Sequence, residues 1–303
     1  MDLNFPEFND KFSTDEACVE AIFQARWPRG FICPTCGHND GYRLRTRPVV
    51  ECCVCGSQKS ITAGTIFHRS KTPLRIWFHI IYEMAHDKGG ASALKLAKRF
   101  GVHQDTIWHL VSKIRTAMGS RDENLSLAGF IELDAAFFGG KTKKSTGKTA
   151  TEDKVQVLVL VESEGRNAGN LVMQVIESDS TEDIDSVIAD KVESEPGGQQ
   201  FRSDGRGTHH VVMNHGHHID MTPIPQYLKD KVMRCADLAI SHAKRFFKGT
   251  YHHFCKIHIQ RYLDEFCYRW NRRHLESQLA THLIAACALH PAISYVDLQT
   301  KAA

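Results

Sequence analysis

A chain of 303 residues has room for about two or three domains and a full core, and its 42% hydrophobic and 24% charged residues are those of a globular protein. It has no run of about 18 apolar residues to span a bilayer, and Met1-Asp2-Leu3-Asn4-Phe5 lacks the basic start and apolar stretch of a secretory leader, so a reducing cytoplasm is the expected setting. A net charge of only +3 is too mild to argue for a nucleic-acid partner, which must be argued from where the basic residues sit.

In chain order, Ser13 and Thr14 before Asp15 and Glu16 predict one helix within residues 1–25, running through Ala17–Ala25. Next come Cys33-Pro34-Thr35-Cys36 and Cys52-Cys53-Val54-Cys55, two C-x2-C pairs separated by fifteen residues. Each pair supplies half of a tetrahedral thiolate site, so Cys33, Cys36, Cys52 and Cys55 read as ligands of a structural Zn2+ in a ribbon. Using Cys53 in place of Cys52 gives the poorer C-x-C spacing. The remaining cysteines, Cys18, Cys235, Cys255, Cys267 and Cys287, show no further pair and read as ordinary thiols.

Thr72 as cap and Pro73 in the first turn predict a helix through Trp77, Phe78, Ile81 and Met84. Residues 91–102 and 103–115 then form a small-residue helix, a glycine turn and a second helix with a polar start. That is a helix-turn-helix pattern, with Gln104, Thr106, His109 and Lys113 as the expected DNA contacts. The expected domains are an N-terminal helix and zinc ribbon at 1–62, a helical DNA-binding region at 63–128 and a catalytic domain at 129–303.

From Gly129 the pattern changes. Residues 130–138, 154–161 and 170–177 read as strands, 181–192 as a helix capped by Ser180 or Thr181, and 199–203 as a strand ending at Asp204-Gly205. The last third is helical, at about 236–248, 256–271 and 275–289. Three strands, a helix, a fourth strand and then helices predict an α/β core of the ribonuclease-H type. Lys141, Lys143 and Lys144 crowd one loop, and Lys244 and Arg245 one helix, as phosphate-backbone contacts.

In this layout Asp134 lies inside the first strand, Asp204 at the end of the fourth and Asp237 near the start of a helix. An aspartate in an apolar strand is costly unless paired or metal-bound. Three converging carboxylates suit hard divalent cations, Mg2+ or Mn2+, in phosphoryl transfer. Lys244, seven residues after Asp237, shares its helix face and can hold a phosphate. His209, His210, His215, His217 and His218 lie in one loop and are read as hydrogen-bonding or solvent-facing groups.

Ile131-Glu132-Leu133-Asp134-Ala135-Ala136-Phe137-Phe138-Gly139-Gly140-Lys141, Ser203-Asp204-Gly205, the run from Ser241 to His253 and Ile259 to Arg273 together resemble bacterial insertion-sequence transposases of the ISXO-like group, as does Thr62–His68. Those proteins join a zinc ribbon to a DDE-type catalytic domain. The resemblance implies catalytic roles for Asp134, Asp204, Asp237 and Lys244. Family members carry Glu, Asn or His where Asp237 stands, which leaves His242 as an alternative third residue, and often carry Glu where Ala135 stands. It also implies metal-dependent DNA cleavage and strand transfer, double-stranded DNA as partner, a homodimer or higher oligomer on paired ends, and a nucleoid-associated location. The alternative is a catalytically inactive, domesticated DNA-binding regulator.

Overall fold

A computed structural model describes residues 4–44, 46–139, 154–251 and 255–299. Lys141, Lys143 and Lys144 lie outside the described residues. The chain forms two compact units, Met1–Arg121 with His274–Thr300, and Asp122–Arg273. Residues 274–299, grouped above with the catalytic region, thus cluster with the N-terminal unit. Among the described residues no helix is long and apolar enough to cross a membrane.

The N-terminal unit begins with two helices where one was expected. Asn4 starts α1 (Phe5–Lys11) through a capping box, its side chain accepting from the Glu7 amide at 3.0 Å while its own amide donates to the Glu7 carboxylate. Thr14 caps α2 (Asp15–Arg26). The ribbon is a three-stranded antiparallel sheet, β1 (Gly41–Arg43), β2 (Val49–Cys52) and β3 (Gln58–Ser60). Residues 62–68 turn back and bury Ile66 and Phe67. Helix α3 (Leu74–His86) buries Trp77, Phe78, Ile80, Ile81 and Met84 along one stripe. Its N-cap position is held by Pro73 with extended backbone, and no side chain caps it, so Thr72 does not have the expected role. Ser92 caps α4 (Ala93–Phe100), and a turn at 101–103 leads into α5 (Gln104–Asp122).

In the second unit β4 (Phe130–Phe138), β5 (Val155–Glu164) and β6 (Asn167–Ile176) are followed by α6 (Thr181–Lys191), capped by Ser180, then β7 (Gln200–Ser203) and β8 (His218–Asp220). Three helices close it: α7 (Lys229–Val232), α8 (Arg234–Thr250) and α9 (Ile259–Asn271). In the N-terminal unit the C-terminal helix α10 (Leu279–Leu289) packs on α2 and α3, and α11 (Tyr295–Gln299) follows it. The five-stranded sheet has the order β6-β5-β4-β7-β8, antiparallel across β6, β5 and β4 and parallel across β4, β7 and β8. This is the ribonuclease-H-type arrangement. Strand β8 was missed because it is three residues long and lies in the histidine-rich stretch.

Alternation along β4 sends Ile131, Leu133 and Ala135 into the core under α6, and Ala136 and Phe138 into the core under α8 and α9. Glu132 and Asp134 share the second face. The open edge of β6 is sealed by side chains from both ends of α9. Asn271 accepts from the Leu171 amide at 2.8 Å and donates to the Leu171 carbonyl at 3.0 Å. Gln260 accepts from Val175 N at 2.8 Å and donates to Met173 O at 3.0 Å, while Trp270 donates its indole N–H to Gly169 O at 3.0 Å. Unpaired strand edges invite pairing with other chains, and these amides close this one.

Asp264 on α9 accepts from Gln260 at 2.9 Å, and burial pushes its carboxyl up to about 7. A carboxyl raised on folding binds its proton more tightly in the folded state, so its contribution is fully present below about pH 4 and is lost as pH rises towards 7. Asp264→Asn, which keeps an acceptor, is therefore expected to match the parent near pH 4 and to exceed it by roughly 1–2 kcal/mol at pH 8, as denaturant midpoints at the two pH values will show.

Candidate active site and metal centre

The sulfur atoms of Cys33, Cys36, Cys52 and Cys55 all lie within 4.8 Å of one another. Cys33 and Cys55 are 3.6 Å apart, as are Cys36 and Cys52. The two halves are built alike. Gly37 N donates to Cys33 O at 2.8 Å and Gly56 N to Cys52 O at 3.1 Å, with both glycines left-handed at φ 73° and 64°. Burial raises the Cys33 thiol, but the amides of Cys36 and Thr35 aim at its sulfur and bring it below its ordinary value. The amides of Cys55 and Val54 do the same for Cys52. Four converging sulfurs, with backbone amides favouring the thiolate at Cys33 and Cys52, fit a structural Zn2+. Cys53 is exposed and outside the group.

Asp134 is 3% exposed in the middle of β4. The last parallel pair of β4 and β7 is Leu133 with Ser203, so Asp134 and Asp204 are next in register on adjacent backbones, spaced about 4.8 Å apart as strands are. Ala135 N donates to Asp134 Oδ1 at 2.8 Å. Arg206 joins this acidic group together: Nε donates to Asp204 at 3.2 Å, Nη1 to Asp179 at 2.9 Å and Nη2 to Ala135 O at 3.4 Å. Burial opposes its charge, but Asp179, Asp204 and Asp134 outweigh burial and hold Arg206 firmly protonated. The other oxygen of Asp179, Oδ1, is buried with no hydrogen-bond partner. An oxygen so placed, beside Asp204 and near Asp134, fits the hard-cation donor set that Mg2+ or Mn2+ takes.

Asp237 sits in the first turn of α8, which packs over β4 and β5. The helix is tied to β4 by Glu132, whose carboxylate accepts from Ala236 N at 2.8 Å. At about 100° per residue, Asp237 and Lys244 lie on one margin of the buried stripe of α8, and His242 lies about 140° away on the other. The His242 ring meets the Trp270 edge of α9 at 5.9 Å, and α9 covers β6. The Asp237 margin is thus the one away from α9. Lys244 and Arg245 are exposed. Among the described residues the only group of three or more ligand-type side chains with donor atoms all within 4.8 Å is the cysteine set, so Asp134, Asp204 and Asp237 do not form such a cluster.

Of the expected recognition residues, Gln104 is exposed and Thr106 half-buried. His109 stacks its edge on Tyr295 at 4.9 Å, and Lys113 is half-buried; burial lowers both from their ordinary values. The loop histidines have structural partners. His209 bonds Ser203 Oγ, His215 bonds Asp185 at 2.8 Å and His217 accepts from Gln199 N at 3.0 Å. His210 bonds the Gly207 carbonyl through Nδ1, and both it and His218 are exposed. Asp179, Arg206 and Glu132 were not singled out from sequence. Glu132 carries the same signal as Asp134, an acid in an apolar strand.

Two family models match the chain, a transposase zinc-ribbon domain over residues 13–58 and an ISXO2-like transposase domain over residues 126–271. Together they take in more than half of it. An uncharacterized protein in transposable element ISH50 of Halobacterium salinarum is 24% identical over 168 residues, covering 50% of this chain and 56% of that protein. The chain therefore spans little more than half the length of this curated relative. Crystal structures of the Mos1 mariner paired end complex with Mn and of the Mos1 strand transfer complex are 11% and 12% identical, each covering 70% of this chain and 78% of the other, with TM-scores of 0.27 and 0.30. At those scores the fold assignment rests on the strand order and not on the likeness. With the ribbon and the sheet-borne aspartates both inside the matched segments, the chain belongs to the ISXO2-like transposases with an N-terminal zinc ribbon.

Proposed function

We propose that this protein binds the terminal repeats of an insertion sequence and catalyses metal-dependent cleavage and strand transfer of DNA. The reading is carried by one observation above all: buried Asp134 stands next in register to Asp204 across a parallel strand pair, at a centre with a buried, unpartnered Asp179 oxygen. Asp134, Asp204 and Asp237 would hold Mg2+ or Mn2+, which when bound supplies Lewis-acid stabilisation of the charge that develops in phosphodiester displacement. The chain's own part is to fix the carboxylates on rigid elements and to offer Lys244 and Arg245 to backbone phosphate. The ribbon and the exposed start of α5 at Gln104 are the duplex-binding candidates. A homodimer or higher assembly follows from two element ends, and a cytoplasmic, nucleoid-associated location from a DNA substrate.

The test is strand nicking of a terminal-repeat duplex by the purified protein with Mg2+ or Mn2+. Asp134→Asn is expected to lower nicking by on the order of 10³-fold, about 4 kcal/mol of transition-state stabilisation, with duplex affinity unchanged. Duplex binding without nicking under either metal would replace this reading with that of a DNA-binding regulator.

A further inference from the structure

Helix α8 starts without a cap of its own. The residue at its N-cap position is Met233, whose side chain makes no capping hydrogen bond, yet the first-turn amides of any helix lack partners within it. The partner comes from 104 residues away: Glu132 on β4 accepts from Ala236 N at 2.8 Å in a buried setting. Glu132 is 2% exposed, and Ser163 of β5 and Cys235 of α8 are bonded to each other at 3.3 Å beside it.

The two ends of this contact are one and two residues from proposed catalytic acids. Ala236 precedes Asp237. Glu132 precedes Asp134 by two, on the same face of the same strand. We propose that Glu132 is a positioning residue that fixes Asp237 against Asp134 by capping α8 from the sheet. It touches neither metal nor DNA; it sets where the third carboxylate stands. The spacing explains why a charged group is retained in an apolar strand: a carboxylate satisfies the amide at the third position of the helix and complements the positive helix end at the same point. This inference rests on the metal-dependent reading of the aspartates.

The test uses the full zinc-loaded chain and two readouts, Mn2+ affinity by calorimetry and nicking of a terminal-repeat duplex. Glu132→Ala is expected to weaken Mn2+ binding and nicking by about 10–100-fold, the range for groups that orient metal ligands. Glu132→Gln, which keeps an acceptor for Ala236 N, is expected to stay within about threefold of the parent on both. The cycle with Asp237→Asn separates positioning from mere stability. If Glu132 acts through residue 237, Asp237→Asn costs little more in the Glu132→Ala background than Glu132→Ala alone, whereas independent effects multiply. Multiplying effects, or parental Mn2+ affinity in Glu132→Ala, overturn the proposal. Should Glu132→Ala fail to fold, Glu132→Gln carries the test on the same readouts: a loss equal to that of Asp237→Asn overturns it, and near-parental values sustain it. A parent chain that binds no Mn2+ overturns the catalytic reading itself, a result distinct from any of these.

Discussion

Cys52→Ser is expected to release the bound zinc and unfold residues 31–61, whereas Cys53→Ser leaves both intact. The adjacent cysteines differ in everything that matters to a metal. Cys52 is buried, its sulfur is 3.6 Å from that of Cys36, and the amides of Cys55 and Val54 favour its thiolate. Cys53 is exposed and is not part of the four-sulfur group. The ribbon cannot compensate from its own core. Its three strands are three or four residues long, and metal binding of about 10–16 kcal/mol is of the size that folds such modules outright. Zinc content after gel filtration should fall below about a tenth of the parent's in Cys52→Ser and stay at parental level in Cys53→Ser. Equal zinc in both variants would show that the ligand is not Cys52. The duplex-binding role of the ribbon is read from the same pair, since only Cys52→Ser should lose terminal-repeat affinity.

What was legible beforehand was what local chemistry specifies. The cysteine spacing named the four sulfurs, the apolar runs named β4 to β6, and Ser180 was one of the two caps expected for α6. Errors arose where a short-range rule had two readings. Thr72-Pro73 looked like cap and first turn, but the fixed φ of Pro73 serves equally at the cap position itself. Asn4 and Glu7 do form a capping box, overlooked because α1 has only seven residues. The least legible part is the centre's supporting shell. Arg206 reaches Asp179 across 27 positions and Glu132 reaches Ala236 across 104, and no spacing rule encodes either. Yet Glu132 was visible in principle, because the cost of an acid in an apolar strand applies to it as much as to Asp134.

Helix α9 shows the reverse case. The segment Ile259 to Arg273 carries part of the resemblance to transposases, and its amides and indole lie on the backbone of β6. Its place in the pattern is explained by edge protection and by the seating of α8 alongside it, so a family-like motif need not be a catalytic one. This matters for the choice of the third acid, because His242 is held by the same α9 surface through Trp270.

Asp237→Asn is expected to lower metal-dependent nicking by on the order of 10³-fold, and His242→Ala by less than about threefold. Both residues lie on α8, five positions apart, and the helix separates them by about 140°. His242 lies on the margin that meets α9 over β6, two strands away from β4. Burial and the nearby Arg245 lower its tendency to charge, which suits a packed ring. Asp237 lies on the opposite margin of the helix, with Lys244 two turns on, in the first turn whose Ala236 amide is held by Glu132 of β4. Asp237→Glu then tests reach. Family members place a longer or differently shaped side chain at this position, so a backbone set for aspartate should lose activity, roughly tenfold, when an extra methylene displaces the carboxylate by more than about 1 Å. Loss of nicking in His242→Ala with normal activity in Asp237→Asn would move the third ligand to the α9 side. Such a result would also break the link between Glu132 and the reaction, since the cap on Ala236 would then hold nothing that touches DNA.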